Sequence, residues 1–188
     1  MTSPSQLELT AHPAIAASPF GPVRAGVQFA ADGGLLLHYE ITSPPATLRL
    51  PAPATPAFAD ELWQHTCCEA FVAPVGGTAY REFNFSPSGE WAVYDFSDYR
   101  QRLAAPPPAR APVINSQASA TGLILRATLP PGLLPDGDAW QIGLTLVLET
   151  MAGEKSWWAL THTAAQPDFH PLASFTLALN RKDALINS

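Results

Sequence analysis

Residues 62–99 read LWQHTCCEAFVAPVGGTAYREFNFSPSGEWAVYDFSDY and contain most of the polar side chains that could carry chemistry. Strand-like runs at residues 66–73 and 78–85 flank the turn sequence PVGG, a pattern typical of a β-hairpin with a short glycine loop. A third run at residues 90–96 follows the turn-forming cluster SPSG of residues 86–89. The stretch therefore predicts three sequential antiparallel strands.

Alternation along these strands predicts one core face and one working face, because successive side chains point to opposite sides of a sheet. In the second strand Phe83 and Phe85 share the core face. The opposite face of that strand carries Tyr80, Glu82, Asn84 and Ser86. In the first strand the in-phase set is His65, Cys67, Glu69 and Phe71.

The hairpin has the potential to make Glu69 and Glu82 cross-strand neighbours. Two like charges directly opposite each other destabilise a sheet, so such a pair would need a cation, a shared proton or a ligand. The alternative interpretation is that both carboxylates are solvated surface groups. The pattern alone leaves both interpretations open.

Several motifs resemble those of the bacterial DOMON-like domains, which are grouped with the family 9 carbohydrate-binding modules. The matching residues are Trp63, His65-Thr66-Cys67, Glu69-x-Phe71, Tyr80-x-Glu82-Phe83-Asn84-x-Ser86-Pro87-Ser88-Gly89-x-Trp91, Trp158-Ala-Leu-Thr-His162, Pro167-Asp168-Phe169-His170 and Ser174-Phe175. The resemblance extends over residues 20–179. It implies a β-sandwich that binds a small ligand, which is a sugar or haem in the better-known relatives. Calcium is a structural ligand in the family 9 modules, but the Asp-rich loop expected for it is not evident in this sequence.

Composition favours one all-β domain over residues 1–188. The chain has 188 residues, of which 47% are hydrophobic, so a sizeable core is available. Its 20 prolines cluster where strands would end. A net charge of -6 with only 10 scattered Lys and Arg argues against a nucleic-acid partner.

The remaining pattern predicts about ten to twelve strands in an antiparallel β-sandwich of jelly-roll or immunoglobulin-like type. A clean alternation at residues 140–150 places Trp140, Ile142, Leu144, Leu146 and Leu148 on one face. Asp60 is a candidate cap for a single turn, and residues 98–104 are expected to form one short helical segment. Further strands are predicted at residues 6–12, 23–30, 35–41, 47–50, 113–120, 123–129, 155–160 and 174–179.

Tryptophan and polar side chains together suggest a sugar site, since a ring can stack on apolar C–H faces while polar groups bind hydroxyls. The candidate platforms are Trp63, Trp91 and one of Trp157 or Trp158, with Trp158 preferred. The candidate hydrogen-bonding groups are His65, Glu69, Tyr80, Glu82, Asn84, His162 and His170. The alternative is that all five tryptophans serve the core.

Other kinds of site remain open at this stage. His65, His162 and His170 with Glu69 or Asp168 could form a zinc site, although no short metal-binding spacing supports it. Haem would need two histidine ligands, because Met1 and Met151 are the only methionines. Glu69 and Glu82 are the minimum equipment for a two-carboxylate hydrolase acting on a glycoside, and a metal-assisted hydrolase is the other enzymatic alternative. A protein-interaction role is a further alternative.

Neither a signal peptide nor a membrane-spanning run is evident, so the sequence predicts a soluble cytoplasmic protein with no membrane partner. The adjacent Cys67 and Cys68 point to opposite faces of a strand, which makes a disulfide between them strained. The leading interpretation is a non-catalytic module that binds a small sugar or sugar-derived molecule. No cofactor is predicted, and calcium, zinc and haem remain minor alternatives.

Overall fold

The computed structural model describes residues 5–15 and 18–182, and the predicted all-β architecture is confirmed. Within these residues no helix is long and apolar enough to cross a bilayer. Three short 3-10 turns occur at Leu62–Gln64, Pro131–Leu133 and Leu172–Ser174. The strands are β1 Leu7–Ala11, β2 Val23–Phe29, β3 Leu35–Thr42, β4 Cys67–Pro74, β5 Tyr80–Phe85, β6 Trp91–Phe96, β7 Val113–Ser119, β8 Gly122–Leu129, β9 Ala139–Glu149, β10 Lys155–Ala159 and β11 Leu177–Asn180.

The strands form one curled antiparallel sheet that divides into two layers. Sheet I has the order β1-β2-β3-β8-β7, and sheet II has the order β10-β9-β4-β5-β6. Strand β1 joins the two sheets, since residues 7–9 pair with β2 and residues 10–11 pair with β10. Strand β11 pairs with the first part of β9, next to β10 on the same edge. The described strands thus form a sandwich-like curled sheet.

The inner core fills the space between the two sheets, as the alternation of apolar residues predicts. Sheet I contributes buried residues such as Leu37 and Leu125, and sheet II contributes Phe83 and Phe85. The predicted inward face of β9 is confirmed, because Trp140, Ile142, Leu144, Leu146 and Leu148 all lie in this cluster. A polar tie also links the sheets: the buried Tyr39 hydroxyl donates to the Glu69 carbonyl oxygen at 2.7 Å.

Sheet II is buried on its outer face as well, by the chain that connects β10 to β11. The outer cluster contains Phe71 and Tyr80 from the strands and Phe169 and Phe175 from the connection. Phe175 lies directly against β9 at Gly143, where a Cβ atom would be 2.9 Å from the Phe175 ring. A residue without a side chain is therefore required at Gly143 for this covering segment to pack closely.

Three local predictions need correction. Residues 98–104 form a hydrogen-bonded turn rather than helical turns, with Arg100 at a φ of 54° and Arg102 bridged to Phe96. The predicted strand at residues 47–50 is reduced to a single bridge between Leu48 and Thr150. The turn Leu62–Gln64 exists, but Asp60 does not cap it, because its carboxylate binds the Tyr94 hydroxyl and the Glu61 amide.

A substitution at Gly122 tests how closely the backbones of β3 and β8 pair. Its φ is 150°, and a Cβ atom there would be 1.9 Å from the Ile41 carbonyl oxygen. We expect Gly122→Ala to lower the free energy of unfolding by about 2–4 kcal/mol, because backbone must move in addition to the strained φ. The matched control is Gly76→Ala, which has a φ of 85° but nothing within 4 Å, so only about 1 kcal/mol should be lost. Equal losses in urea unfolding would contradict this account.

Candidate functional site

A cavity of about 290 Å³ lies on the outer face of sheet II, beneath the segment that connects β10 to β11. This volume is close to the lower limit of roughly 300 Å³ for small-ligand pockets. Its strand-borne lining residues are Glu69, Phe71, Glu82, Tyr94, Phe96, Val147 and Trp157. The remaining lining residues come from turns and loops and are Trp63, Arg100, Arg102, Pro167, Asp168, Phe169 and His170.

Strand register explains why these side chains meet. One cross-strand row runs through Asn84, Glu69 and Thr145, and the next row runs through Glu82 and Phe71. All five residues have the same parity, so they project to the outer face of sheet II. The outward parity that the sequence predicts for the two glutamates is thus the one observed.

Glu69 and Glu82 are diagonal neighbours rather than a directly opposed pair. Glu69 lies opposite Asn84, and Glu82 lies opposite Phe71. The alternative that both are solvated surface groups is also corrected, because Glu69 is only 2% and Glu82 only 5% exposed. Diagonal placement reduces the repulsion that direct opposition would cause, while both carboxyl groups still line the same cavity.

Glu69 is the deepest ionisable group of the cavity. Its Oε2 atom accepts a hydrogen bond from the Thr145 hydroxyl at 3.3 Å, whereas its buried Oε1 atom has no partner among the residues that the structure describes. Burial raises the pKa of Glu69 well above its usual range, and the negative charge of Glu82 raises it further. A buried carboxyl oxygen without a partner is unfavourable, so this position is suited to a hydrogen-bond donor supplied by a ligand.

Glu82 is held by its neighbour Asn84, which is fully buried and donates to Glu82 Oε1 at 2.7 Å. Burial raises the pKa of Glu82, and this hydrogen bond partly offsets that effect. The other oxygen, Oε2, is 3.9 Å from His170 Nε2, which is too long for a direct hydrogen bond. Asn84 therefore supports the site from beneath without lining the cavity.

His170 is a neutral wall of the cavity whose orientation is set by Tyr80. The Tyr80 hydroxyl accepts from the Arg100 amide at 3.1 Å and forms a hydrogen bond with His170 Nδ1 at 2.8 Å. Burial, assisted by the charge of Arg100, lowers the pKa of His170 to about 4. In the tautomer in which Tyr80 donates to Nδ1, the neutral ring carries its hydrogen on Nε2, on the side of Glu82.

The two arginines at the cavity rim each have a carboxylate of their own. Arg100 donates to Asp168 at 2.9 Å, and Arg102 lies 3.6 Å from Asp60. Arg102 also stacks on Tyr94, with 3.8 Å between its guanidinium carbon and the ring centroid. These contacts hold the 98–102 turn against the cavity and neutralise both positive charges locally.

Trp63 and Trp157 form the aromatic part of the cavity wall. Trp63 projects from the 3-10 turn at Leu62–Gln64 and is 47% exposed. Trp157 is half-buried and lies opposite Val147 in the β9–β10 pair, with outward parity. Both indole rings are therefore accessible beside the buried carboxyl groups.

Four of the candidate residues lie away from the cavity. Trp91 and Trp158 pack in the inner core, where the Trp158 indole N–H donates to Ser156. His65 pairs with Glu149 at 2.8 Å. His162 contacts the Thr10 carbonyl oxygen, and its ring packs edge-on against His12. Of the adjacent tryptophans, Trp157 rather than the preferred Trp158 faces the cavity.

The proposed metal set is also dispersed. His65, His162 and His170 have different partners in different parts of the fold. Among the described residues no group of three or more His, Cys, Asp or Glu side chains is arranged to hold a metal ion. In the described part of the chain, the three histidines of the predicted zinc set are therefore not gathered at one point.

Arg100, Arg102 and Phe169 line the cavity but were not singled out as site residues from the sequence, and Trp157 was considered only as the alternative to Trp158. Strand β6 offered one signal for the arginines. Tyr94 projects to the outer face of sheet II, and the chain beyond this strand leads directly into the 98–102 turn that carries Arg100 and Arg102. For the two tryptophans of β10 the sequence offers no decisive alternation, since both are large and apolar. Phe169 reaches the cavity through the path of a loop, which no local pattern reveals.

Comparison with known proteins adds a fold relative. No family model matches the chain, and no curated protein matches it. The fold is similar to the crystal structure of "a putative carbohydrate-binding protein" from Bacteroides uniformis, with a TM-score of 0.70 and 17% sequence identity. The alignment covers 94% of this chain and 86% of that chain. At this identity the match shows the fold.

The buried carboxyl groups make stability depend on pH in a defined direction. Because the pKa values of Glu69 and Glu82 are raised above 4.5, the folded state holds more protons than the unfolded chain, and stability falls as pH rises. The lowered pKa of His170 has the opposite effect, which ends near its ordinary value of 6.5. We therefore expect the free energy of unfolding to fall between about pH 6.5 and about pH 8, below the range where unfolded thiols ionise.

Glu69→Gln should reduce the fall in the free energy of unfolding with pH, because it removes the carboxyl group whose ionisation is most strongly opposed by burial. The measurement is the midpoint of urea unfolding at about pH 6.5 and at about pH 8. The control is Glu154→Gln, which removes a charge from the exposed turn between β9 and β10. Parallel pH slopes for Glu69→Gln and the unmodified protein would contradict the assignment.

Proposed function

We propose that this chain is a non-catalytic binding module for a sugar or sugar-derived molecule, with the outer-face cavity of sheet II as its site. The observation that carries the proposal is that accessible indole rings and buried polar groups line the same cavity. Trp63 and Trp157 line the same cavity as Glu69 and Glu82. Such a combination suits a sugar ring, which has apolar C–H faces and hydroxyl groups at its edge.

The polar groups in this proposal have distinct roles. The unpartnered Glu69 Oε1 accepts a hydrogen bond from a ligand hydroxyl at the bottom of the cavity. Glu82, held by Asn84, and the Nε2–H of His170 contact the edge of the same ring. Tyr80 serves as a positioning residue for His170 through its hydroxyl.

Two similarities support the proposal without testing it. The structural relative from Bacteroides uniformis is described as a putative carbohydrate-binding protein and has a similar fold. The motifs around Glu69, Glu82 and His170 resemble those of DOMON-like domains and family 9 carbohydrate-binding modules. We therefore also propose that this chain is a member of that group of domains.

Glycoside hydrolysis is a second candidate, and one observation favours it. Glu69 and Glu82 share a cavity, and burial raises the pKa of each, as is needed for a general acid. Incubation with nitrophenyl glycosides tests this alternative directly. Release of nitrophenol that is abolished in Glu82→Gln would replace the binding role with a catalytic one.

Adjacent tryptophans provide a matched test of the binding proposal. We expect Trp157→Ala to weaken sugar binding at least about tenfold with little loss of stability, since a stacking ring is removed from a half-buried position. Trp158→Ala should instead lower the free energy of unfolding by about 3–5 kcal/mol, because Trp158 packs in the inner core. The measurements are thermal shift and calorimetric titration against neutral, amino and acidic mono- and disaccharides.

Trp63→Ala provides a second check on the same wall. Because the Trp63 side chain is 47% exposed, its loss should affect binding more than folding. Unchanged sugar affinity in both Trp63→Ala and Trp157→Ala would exclude this cavity as the sugar site. A sugar that raises the melting temperature of the unmodified protein but not of Trp157→Ala is the expected result.

A further inference from the structure

The charge balance of the cavity distinguishes among sugar classes. Three acidic and two basic side chains line it, and the basic ones are Arg100 and Arg102. Arg100 is paired with Asp168 and Arg102 with Asp60. These pairs leave Glu69 and Glu82 without an arginine or lysine partner among the described residues.

The histidine close to Glu82 does not supply a positive charge to the carboxyl pair. His170 Nε2 lies 3.9 Å from Glu82 Oε2, and burial lowers the pKa of His170 to about 4. The ring is therefore neutral across the physiological range. Its Nε2–H can donate a hydrogen bond, but it brings no positive charge to the carboxyl pair.

The unpartnered oxygen identifies the point of contact. Glu69 is only 2% exposed and lines the cavity. One of its oxygens accepts from Thr145, and the other, Oε1, has no partner within residues 5–15 and 18–182. A buried carboxyl group is stabilised in its charged form only by a charge or hydrogen-bond donors brought close to it. A ligand that brings a hydrogen-bond donor or a positive charge to this position would stabilise the ionised form of Glu69.

Groups on every neighbouring element bear on the ionisation of Glu69. Strand β4 itself carries Cys67 and Cys68, β5 carries Glu82 and Asn84, and β9 carries Thr145. Tyr39 of β3 contacts the backbone of Glu69 from the inner side. Of these groups Glu82 has an ordinary pKa below neutrality, so the strands around Glu69 add potential negative charge. The cations of the cavity are Arg100 and Arg102 at its rim, and their charges partly offset the rise that burial causes in the pKa of Glu82.

We propose that the preferred ligand is a sugar with a free, protonated amine, and that the ammonium group binds between Glu69 and Glu82 while the ring lies against the tryptophan wall. This inference rests on the proposed sugar-binding function and narrows it to amino sugars. An ammonium group supplies three donors and one positive charge, which matches one unpartnered oxygen and two carboxyl groups that form no ion pair with a described arginine or lysine. We expect acidic sugars to bind more weakly, because both arginines already have carboxylate partners.

Proton release is a consequence specific to a cationic ligand. Binding an ammonium group favours the ionised glutamates, so protons leave the site as the ligand enters. Affinity should therefore rise with pH, by as much as about tenfold per pH unit for each proton released, until the sugar amine itself loses its proton. A neutral sugar that hydrogen-bonds to a protonated carboxyl group would show no such gain.

The experiment compares ligands that share one ring and differ in charge. Glucosamine, glucose, N-acetylglucosamine and glucuronate, together with the β-1,4-linked disaccharides of the first three, are titrated calorimetrically in two buffers of different ionisation enthalpy. We expect glucosamine and its disaccharide to bind at least about tenfold tighter than the neutral sugars, with proton release, and glucuronate to bind weakest.

Substitutions of the two glutamates test whether the amine preference arises at Glu69 and Glu82. Glu69→Gln and Glu82→Gln should each abolish the preference for the amine and reduce proton release, whereas Glu154→Gln should retain both. Melting temperatures without ligand establish that each variant is folded. If a variant does not fold, proton release by the unmodified protein in the two buffers still decides the question.

The outcomes separate this inference from the function on which it rests. Equal affinity for glucose and glucosamine would overturn the amine preference and leave sugar binding intact. Tighter binding of glucuronate than of glucosamine would also overturn the amine preference and leave sugar binding intact. Absence of binding by every sugar would overturn both. An amine preference that persists in Glu69→Gln and Glu82→Gln would overturn the assignment to this pair.

Discussion

Burial of sheet II on both faces is the constraint on which the rest of the structure depends. Its inner face packs against sheet I, and its outer face packs beneath the chain that connects β10 to β11. Polar residues at outward positions of β4 and β5 are consequently removed from water although the strand pattern would place them at a surface. Glu69 and Glu82 become deeply buried for this reason, and their chemistry follows from it.

The covering segment also organises the cavity. Phe175 packs against Gly143 and anchors one end of the segment, while Phe169 contacts the aromatic cluster around Phe71. Between these anchors the chain brings His170 to the site, and Asp168 pairs with Arg100 of the facing turn. The rim is therefore closed by apolar packing and ion pairs rather than by continuation of the sheet.

Division of the tryptophans between core and cavity shows how one strand serves two layers. Trp158 faces sheet I and stabilises the sandwich-like arrangement, and its neighbour Trp157 faces the cavity. A single residue step changes the role because successive side chains of a strand point in opposite directions. In the function we propose, the same sheet thus provides structural stability on one side and ligand recognition on the other.

The sequence by itself determined the all-β class, the inward face of β9 and the shared outward parity of Glu69, Glu82 and Asn84, because alternation is a local property of each strand. Only the tertiary structure decided that Glu69 lies opposite Asn84 instead of Glu82, because register is set by pairing between strands. It also decided that His65 and His162 lie apart from His170 and that Arg100 and Asp168 meet. Contacts between segments far apart in the chain depend on the path of the loops, which no periodic pattern encodes.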